Sequence, residues 1–346
     1  MELDEVRCLA VLGLRRSGRP AALLARRAAP GARVVALDEG GAPPDGTVAV
    51  LQAAGVEVLV GPAAVLPDAT DLLVKSPGVP DESPAVRAAV RRGVPLWSEV
   101  ELACRVLPNP VVGITGTNGK TTTTELTGAI LRRAGRAVAV GGNVGHALAA
   151  MPGEVPPEAT VVAELSSFQL EHIERFRPAV AVLLNLAEDH IDRHGTYRAY
   201  ADAKLRVFEN QTGEDVALLC ADDRGVLDEA AAGRLTGAAR RGWFSGEPGR
   251  REGPAGEGLV AGVDADGLLW VLRDGRVRGL CRRDALALRG DHNVLNSLAA
   301  AAAACAAGAP VAAAAGRRRT CAASPPPRRS PTVSARAGEE IGRAHV

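Results

Sequence analysis

Gly113-Ile-Thr-Gly-Thr-Asn-Gly-Lys-Thr121 is the stretch that decides the fold. It joins an apolar run at 110–114 to a segment from 121 to about 134 with helical patterning. Its glycines let successive backbone N–H groups turn onto a phosphate chain, and the following helix N-terminus adds positive potential. Lys120 can reach the β/γ-phosphates, and the Thr121 hydroxyl can ligate Mg²⁺. A standard phosphate loop has glycine where Ile114 stands, so this is the variant GxxGxxGK[ST]. The junction predicts ATP binding through Gly116, Thr117, Asn118, Gly119, Lys120, Thr121, Thr122 and Thr123.

Beyond this loop, strands are predicted at 137–140, 160–165, 179–186 and 216–220, alternating with helical segments such as 197–209. The glycine-rich stretch 246–279 reads as β-hairpins, and an alanine-rich helix starts at Asp291-His-Asn. Such alternation predicts an α/β unit with a mostly parallel sheet and helices on both faces. Towards the N-terminus, an apolar run at 6–14, a turn with Gly13 and Gly18, a helix to about 29 and a strand ending on Asp38 form a βαβ unit of nucleotide-binding type. The full GxGxxG is absent, because Arg15 stands where a second glycine is expected. Pro108-Asn-Pro110 reads as a linker, giving domains at 1–108 and 109–315.

Composition narrows the classes. The chain has 346 residues, 47% hydrophobic and 23% charged, which excludes wholesale disorder and allows two cores. The longest apolar run, 298–315, is nearly all alanine and contains Gly308 and Pro310, so no membrane span is expected. Met1-Glu-Leu-Asp-Glu is too acidic for a signal peptide. Six cysteines without a CxxC predict reduced thiols in a cytoplasmic protein. A net charge of +1 gives no reason to expect nucleic acid. Residues 316–346 hold seven Arg and two Glu without apolar periodicity, so a disordered, frame-shifted or artificial tail is expected there.

Only three lysines occur, Lys75, Lys120 and Lys204, among 41 basic residues. In so arginine-rich a chain they mark places where a guanidinium cannot serve. Lys204 follows Glu188-Asp-His190 and Tyr200 on a predicted helix. An amine there can take up CO₂ and become an anionic metal ligand, which arginine cannot. Glu164 ends a predicted strand where such folds carry a magnesium-binding acid. Five of the seven asparagines (Asn118, Asn143, Asn185, Asn293, Asn296) fall in the same clusters.

GITGTNGKT, GGNVG, ELSSFQ, NLAEDHIDRHGTYRAYADAK and GDHNVLN, in this order, resemble the Mur ligases of peptidoglycan synthesis over about residues 6–315. GGNVG and ELSSFQ favour the D-glutamate-adding branch. The resemblance implies a Rossmann-like first domain that binds a UDP-sugar and a P-loop-type ATPase domain. It further implies ATP, two Mg²⁺ ions, and UDP-N-acetylmuramoyl-L-alanine and D-glutamate as substrates of a monomer. Lys120, Glu164, His190 and Lys204 would carry the chemistry. Thr121, Glu164, His190 and carbamylated Lys204 would hold the metal, and Asn293 and Asn296 would face the adenine. Asp38, Ser76, Gly78, Asn143, Ser166 and His190 would contact the muramoyl substrate. Mur ligases carry a third domain with a lysine and the D-glutamate site. No Lys follows Lys204 and no Asp follows Asp291. The expectation is therefore two domains of three and no ligation by these residues alone. The alternatives are another amide ligase, of the Mur or folylpolyglutamate type, or a non-catalytic nucleotide-binding module.

Overall fold

The computed structural model describes residues 1–315 apart from Ala42. The expectations for 316–346 lie outside the described residues.

Two sheets organise the chain. The first contains β1 (Cys8–Leu12), β2 (Arg33–Asp38), β3 (Glu57–Val60), β4 (Leu72–Lys75) and β5 (Leu96–Ser98), in the order 3-2-1-4-5. All its pairings are parallel. β1 is apolar throughout and β4 up to its terminal Lys75, and both are buried along their whole length, as strands covered on both faces must be. The helix Gly18–Ala28 covers one face with Ala21, Ala22, Leu24 and Ala25. The order reverses between β1 and β4, which opens a crevice at their carboxyl ends. Gly13 and Ser76 meet there, because the Ser76 Oγ donates to the Gly13 carbonyl at 2.8 Å.

The second sheet has nine strands, β6 (Val111–Thr115), β7 (Val138–Gly142), β8 (Thr160–Glu164), β9 (Val180–Leu183), β10 (Val216–Cys220), β11 (Arg240–Pro248), β12 (Leu259–Val263), β13 (Leu268–Arg273) and β14 (Arg276–Arg282). Their order is 14-13-12-11-10-9-6-8-7. β7 to β12 pair parallel, and the switch point lies beside β6, between β9 and β8. The glycine-rich segment expected as hairpins does supply two, β12–β13 and β13–β14. It also departs from that expectation: β12 pairs parallel to β11 and so extends the main sheet. Asp274 and Gly275 both take positive φ, the backbone that a two-residue β-turn of this hand requires.

Helix Lys120–Arg133 packs against the alanine-rich helix Asp291–Ala306, whose Ala299–Ala304 stretch is buried. Small side chains let these helices approach closely, and that approach carries Asn296 onto the phosphate loop. A Cβ at Gly119 would lie 2.3 Å from Asn296 Oδ1, and Gly119 has φ +84°, so only glycine fits.

Candidate active site

The phosphate loop leaves β6 at Gly116 and enters the helix at Lys120. Asn185, just past β9, clamps it: Thr117 N donates to Asn185 O at 3.0 Å and Asn118 N to Asn185 Oδ1 at 2.7 Å. Lys120 Nζ donates to the Gly116 and Thr117 carbonyls at 2.9 and 2.8 Å. Lys204 Nζ, buried, donates to the same Gly116 carbonyl at 2.8 Å and lies 4.8 Å above the Tyr200 ring. Two ammonium groups thus converge on one oxygen. Burial, and then the Lys120 charge, push Lys204 down to about 7, while burial also lowers Lys120. An amine so placed is neutral often enough near neutrality to react as a nucleophile.

Glu164, at the end of β8, accepts from Thr121 Oγ1 at 2.7 Å and from Asn143 Nδ2 at 3.0 Å. A hydroxyl and a carboxylate this close form an oxygen donor set suited to Mg²⁺. Asn143 also lines a cavity of about 680 Å³ that begins at the first sheet's crevice. Its walls include Gly13, Arg15, Arg16, Asp38, Ser76, Gly78, Asn143 and Gln169. Asp38 is fixed there by Leu14 N at 2.9 Å and Gly40 N at 3.1 Å. Gly18 begins its helix against the Gly13 carbonyl, where a Cβ would come within 1.5 Å. That glycine supplies the close approach, so the turn forms with Arg15 in place of the second glycine.

The structure therefore gathers Asp38, Ser76, Gly78 and Asn143 around one space. Ser166 and His190 do not line it. Ser166 caps the short helix Ser167–Leu170, accepting from Gln169 N and bonding Gln169 Oε1. His190 is half exposed at φ 52°, a backbone region costly for histidine, with its ring 5.2 Å from Phe168 and Nε2 3.6 Å from Asp189. Asn293 and Asn296 bond each other at 3.2 Å, and Asn296 accepts from Thr123 Oγ1 at 3.3 Å.

Four participants escaped the sequence reading. Tyr200 OH bonds Thr117 Oγ1 at 2.8 Å, and burial raises the phenol to about 12. Its spacing of four from Lys204 on one helix was the available signal. His194 stacks on Phe168 at 4.9 Å, with Nε2 2.9 Å from Ser167 Oγ and Nδ1 3.1 Å from Glu171. Burial, His190 and Lys204 hold its basicity down. Gln169 Nε2 donates to the fully buried Glu99 at 2.8 Å, which also accepts from Ala149 N at 3.2 Å. Glu99 carried no motif, and Gln169 closed ELSSFQ without a role of its own being read there.

Among the described residues, no helix is long and apolar enough to cross a membrane. Residues 114–240 match the Mur ligase middle domain. The chain is 45% identical over 293 residues to the UDP-N-acetylmuramoylalanine–D-glutamate ligase of Anaeromyxobacter dehalogenans (strain 2CP-C), covering 84% of this chain and 62% of that protein. It is 43% identical over 313 residues to the ligase of the same name from Salinibacter ruber (strain DSM 13855 / M31), covering 87% and 65%. The chain thus spans less than two thirds of the length of these relatives. The crystal structure of UDP-N-acetylmuramate:L-alanyl-gamma-D-glutamyl-meso-diaminopimelate ligase from Neisseria meningitides shares the fold, with a TM-score of 0.57, 24% identity, and 89% and 96% of the two chains covered. Residues 114–240, which carry the phosphate loop and Glu164, thus match the Mur ligase middle domain, and over most of its length the chain is similar to ligases of that family.

Proposed function

We propose that this chain serves in the ATP-dependent ligation of D-glutamate to UDP-N-acetylmuramoyl-L-alanine. It would act in the cytoplasm as a monomer, with residues 1–108 as the UDP-sugar unit and 109–315 as the ATP unit. The observation that carries the reading is a continuous relay. Asn143 lines the cavity and donates to Glu164, and Glu164 accepts from Thr121 of the phosphate loop. A UDP-sugar seated in the cavity thereby addresses the residues that handle the ATP phosphates. The names of the curated relatives favour D-glutamate as the amino acid.

Mur ligases use ATP and Mg²⁺. Thr121 and Glu164 would hold one ion, and we assign a second to His190 and carbamylated Lys204. The ions supply charge neutralisation where two anions must approach. The residues of 1–315 do the nucleotide-handling part of this work, and the amine-bearing substrate is left to the family's third domain. Lys120 balances charge on the β/γ-phosphates, and Asn185 fixes the loop that aims it. Asn143 and Ser76 orient the sugar-peptide, and Asn293 and Asn296 face the adenine. A substrate carboxylate oxygen bonds to the γ-phosphorus as ADP leaves. The amine nitrogen then bonds to the carbonyl carbon as phosphate leaves and the nitrogen gives up a proton.

A thermal-shift screen tests the assignment. UDP-N-acetylmuramoyl-L-alanine and Mg-ATP should each raise the melting temperature, and folates should not. Stabilisation by a folate and not by the UDP-sugar would move the chain to the folylpolyglutamate type. Stabilisation by neither UDP-sugar nor folate would leave a nucleotide-binding module.

A further inference from the structure

Lys75 is the third lysine, and the ligation chemistry leaves it unused. It ends β4, and strand alternation turns it away from the face of Ser76, which lines the cavity. Its side chain is fully buried, and a buried ammonium requires an opposite charge. Lys75 Nζ is hydrogen-bonded and ion-paired to Asp81, and Glu171 Oε2 lies 3.9 Å away. Asp81 follows the cavity wall of the first sheet's half. Glu171 follows the helix Ser167–Leu170 of the second. His172 Nε2 lies 3.3 Å from Asp81, and His194 Nδ1 lies 3.1 Å from Glu171 Oε1.

The ligand-type atoms of Asp81, Glu171 and His172 lie within 4.8 Å of one another, a spacing that would suit a divalent ion. Lys75 already supplies that cation from the chain itself. Burial acts to raise the Asp81 carboxyl, yet hydrogen bonds from His172 and Lys75 hold it well below the usual carboxylate range. The same seam carries Arg193, which donates to Pro77 O at 3.1 Å and Val79 O at 3.0 Å with its guanidinium 4.1 Å over Phe168. Pro77 and Val79 are cavity wall.

We infer that Lys75 is a positioning residue: its pairs with Asp81 and Glu171 lock the first sheet to the second and fix the 76–79 wall of the UDP-sugar cavity. The inference rests on the function proposed above for the identity of the ligand, while the lock itself stands on the contacts alone. A lock of this kind acts on substrate binding and leaves the phosphate loop untouched.

The test compares the parent with Lys75→Met, Asp81→Asn and the double variant. Methionine keeps the length and removes the charge, and the half-exposed Asp81 can then take up water. Two readouts are taken: hydrogen exchange of 73–79, and affinity for UDP-N-acetylmuramoyl-L-alanine and for Mg-ATP. Lys75→Met should raise exchange at 76–79 and weaken UDP-sugar binding about tenfold each, a scale set by the coupling of neighbouring paired residues. Mg-ATP affinity should stay within about twofold, and the double variant should be no worse than Lys75→Met. Unchanged exchange and unchanged UDP-sugar affinity overturn the inference, as does an equal loss of ATP affinity, which would signal general destabilisation. Faster exchange without loss of UDP-sugar affinity overturns the positioning role. If Lys75→Met does not fold, Asp81→Asn carries the same readouts from a partly exposed site. If the parent itself binds no UDP-sugar, the function proposed above falls, and the exchange arm still decides the lock.

Discussion

At the end of β1, Gly13 turns the chain so that Leu14 N meets the Asp38 carboxylate and Ser76 meets the Gly13 carbonyl. At the end of β6, Gly116 turns the chain so that its carbonyl receives two lysine ammonium groups. The first site is made of backbone and short polar side chains around an open cavity, with Arg15 and Arg16 exposed at its wall. The second concentrates cations in a buried space, where burial makes both ammonium groups harder to protonate and the Lys120 charge does so further for Lys204. The contrast matches what each of the ligands proposed above asks. A bound diphosphate keeps its charge throughout, so fixed dipoles suffice. Phosphoryl transfer moves charge, so the site needs cations concentrated where it develops.

The largest effect should come from Lys120→Ala. Loss of the phosphate-facing cation is expected to weaken Mg-ATP about 10–10²-fold, the worth of hydrogen bonds to a charged group, and to leave the UDP-sugar shift intact. Calorimetry on the two ligands checks this; equal loss for both would dissolve the distinction between the sites. Gly18→Ala attacks the other site. Its Cβ would sit 1.5 Å from Gly13 O and 2.7 Å from Ser76 Oγ, so stability should fall by roughly 1–3 kcal/mol or more, with UDP-sugar binding lost first. Gly31→Ala, with nothing within 4 Å, is the matched control.

A third prediction sharpens the cationic site. In ¹³C-bicarbonate, the parent should show a carbamate carbon resonance that Lys204→Arg lacks. An identical resonance in the arginine variant would place the carbamate elsewhere.

The smallest effect concerns Glu99, between the two sites. Burial pushes its carboxyl from 4.5 to about 7 despite hydrogen bonds from Gln169 and Ala149. The folded state therefore holds a proton that the unfolded state has released between those values. Stability from this group falls as pH rises from 4.5 to 7, and the loss is complete above. Glu99→Gln cannot ionise, so the melting temperature of the parent should decline relative to the variant across that window. Parallel profiles would contradict it.

What could be read from sequence was local. The phosphate loop is nine contiguous residues whose glycines and lysine specify their own backbone, and Asp38 was legible as the acid ending a strand. Contacts made across the fold were not. Tyr200 reaches Thr117 across 83 positions and Gln169 reaches Glu99 across 70, and neither pair leaves a periodic trace. Asn296 was marked by its motif, yet its packing on Gly119 depends on how closely two helices approach. Lys75 directly precedes the Ser76-Pro-Gly78 turn of the cavity wall. The alternation of a strand sends it to the seam instead. His190 and Ser166 lay in dense polar stretches but are not part of the cavity wall: His190 sits at positive φ and the Ser166 hydroxyl is spent on a capping box.

The proposed function puts two separate nucleotide sites in one chain, joined by the Asn143–Glu164–Thr121 relay. Calorimetric titration of Mg-ATP into the chain already saturated with UDP-N-acetylmuramoyl-L-alanine, and the reverse, tests it most directly. One equivalent of each ligand is expected to bind in either order, with Lys120→Ala erasing only the ATP isotherm. Mutual exclusion of the two ligands, or a single shared equivalent, would contradict it.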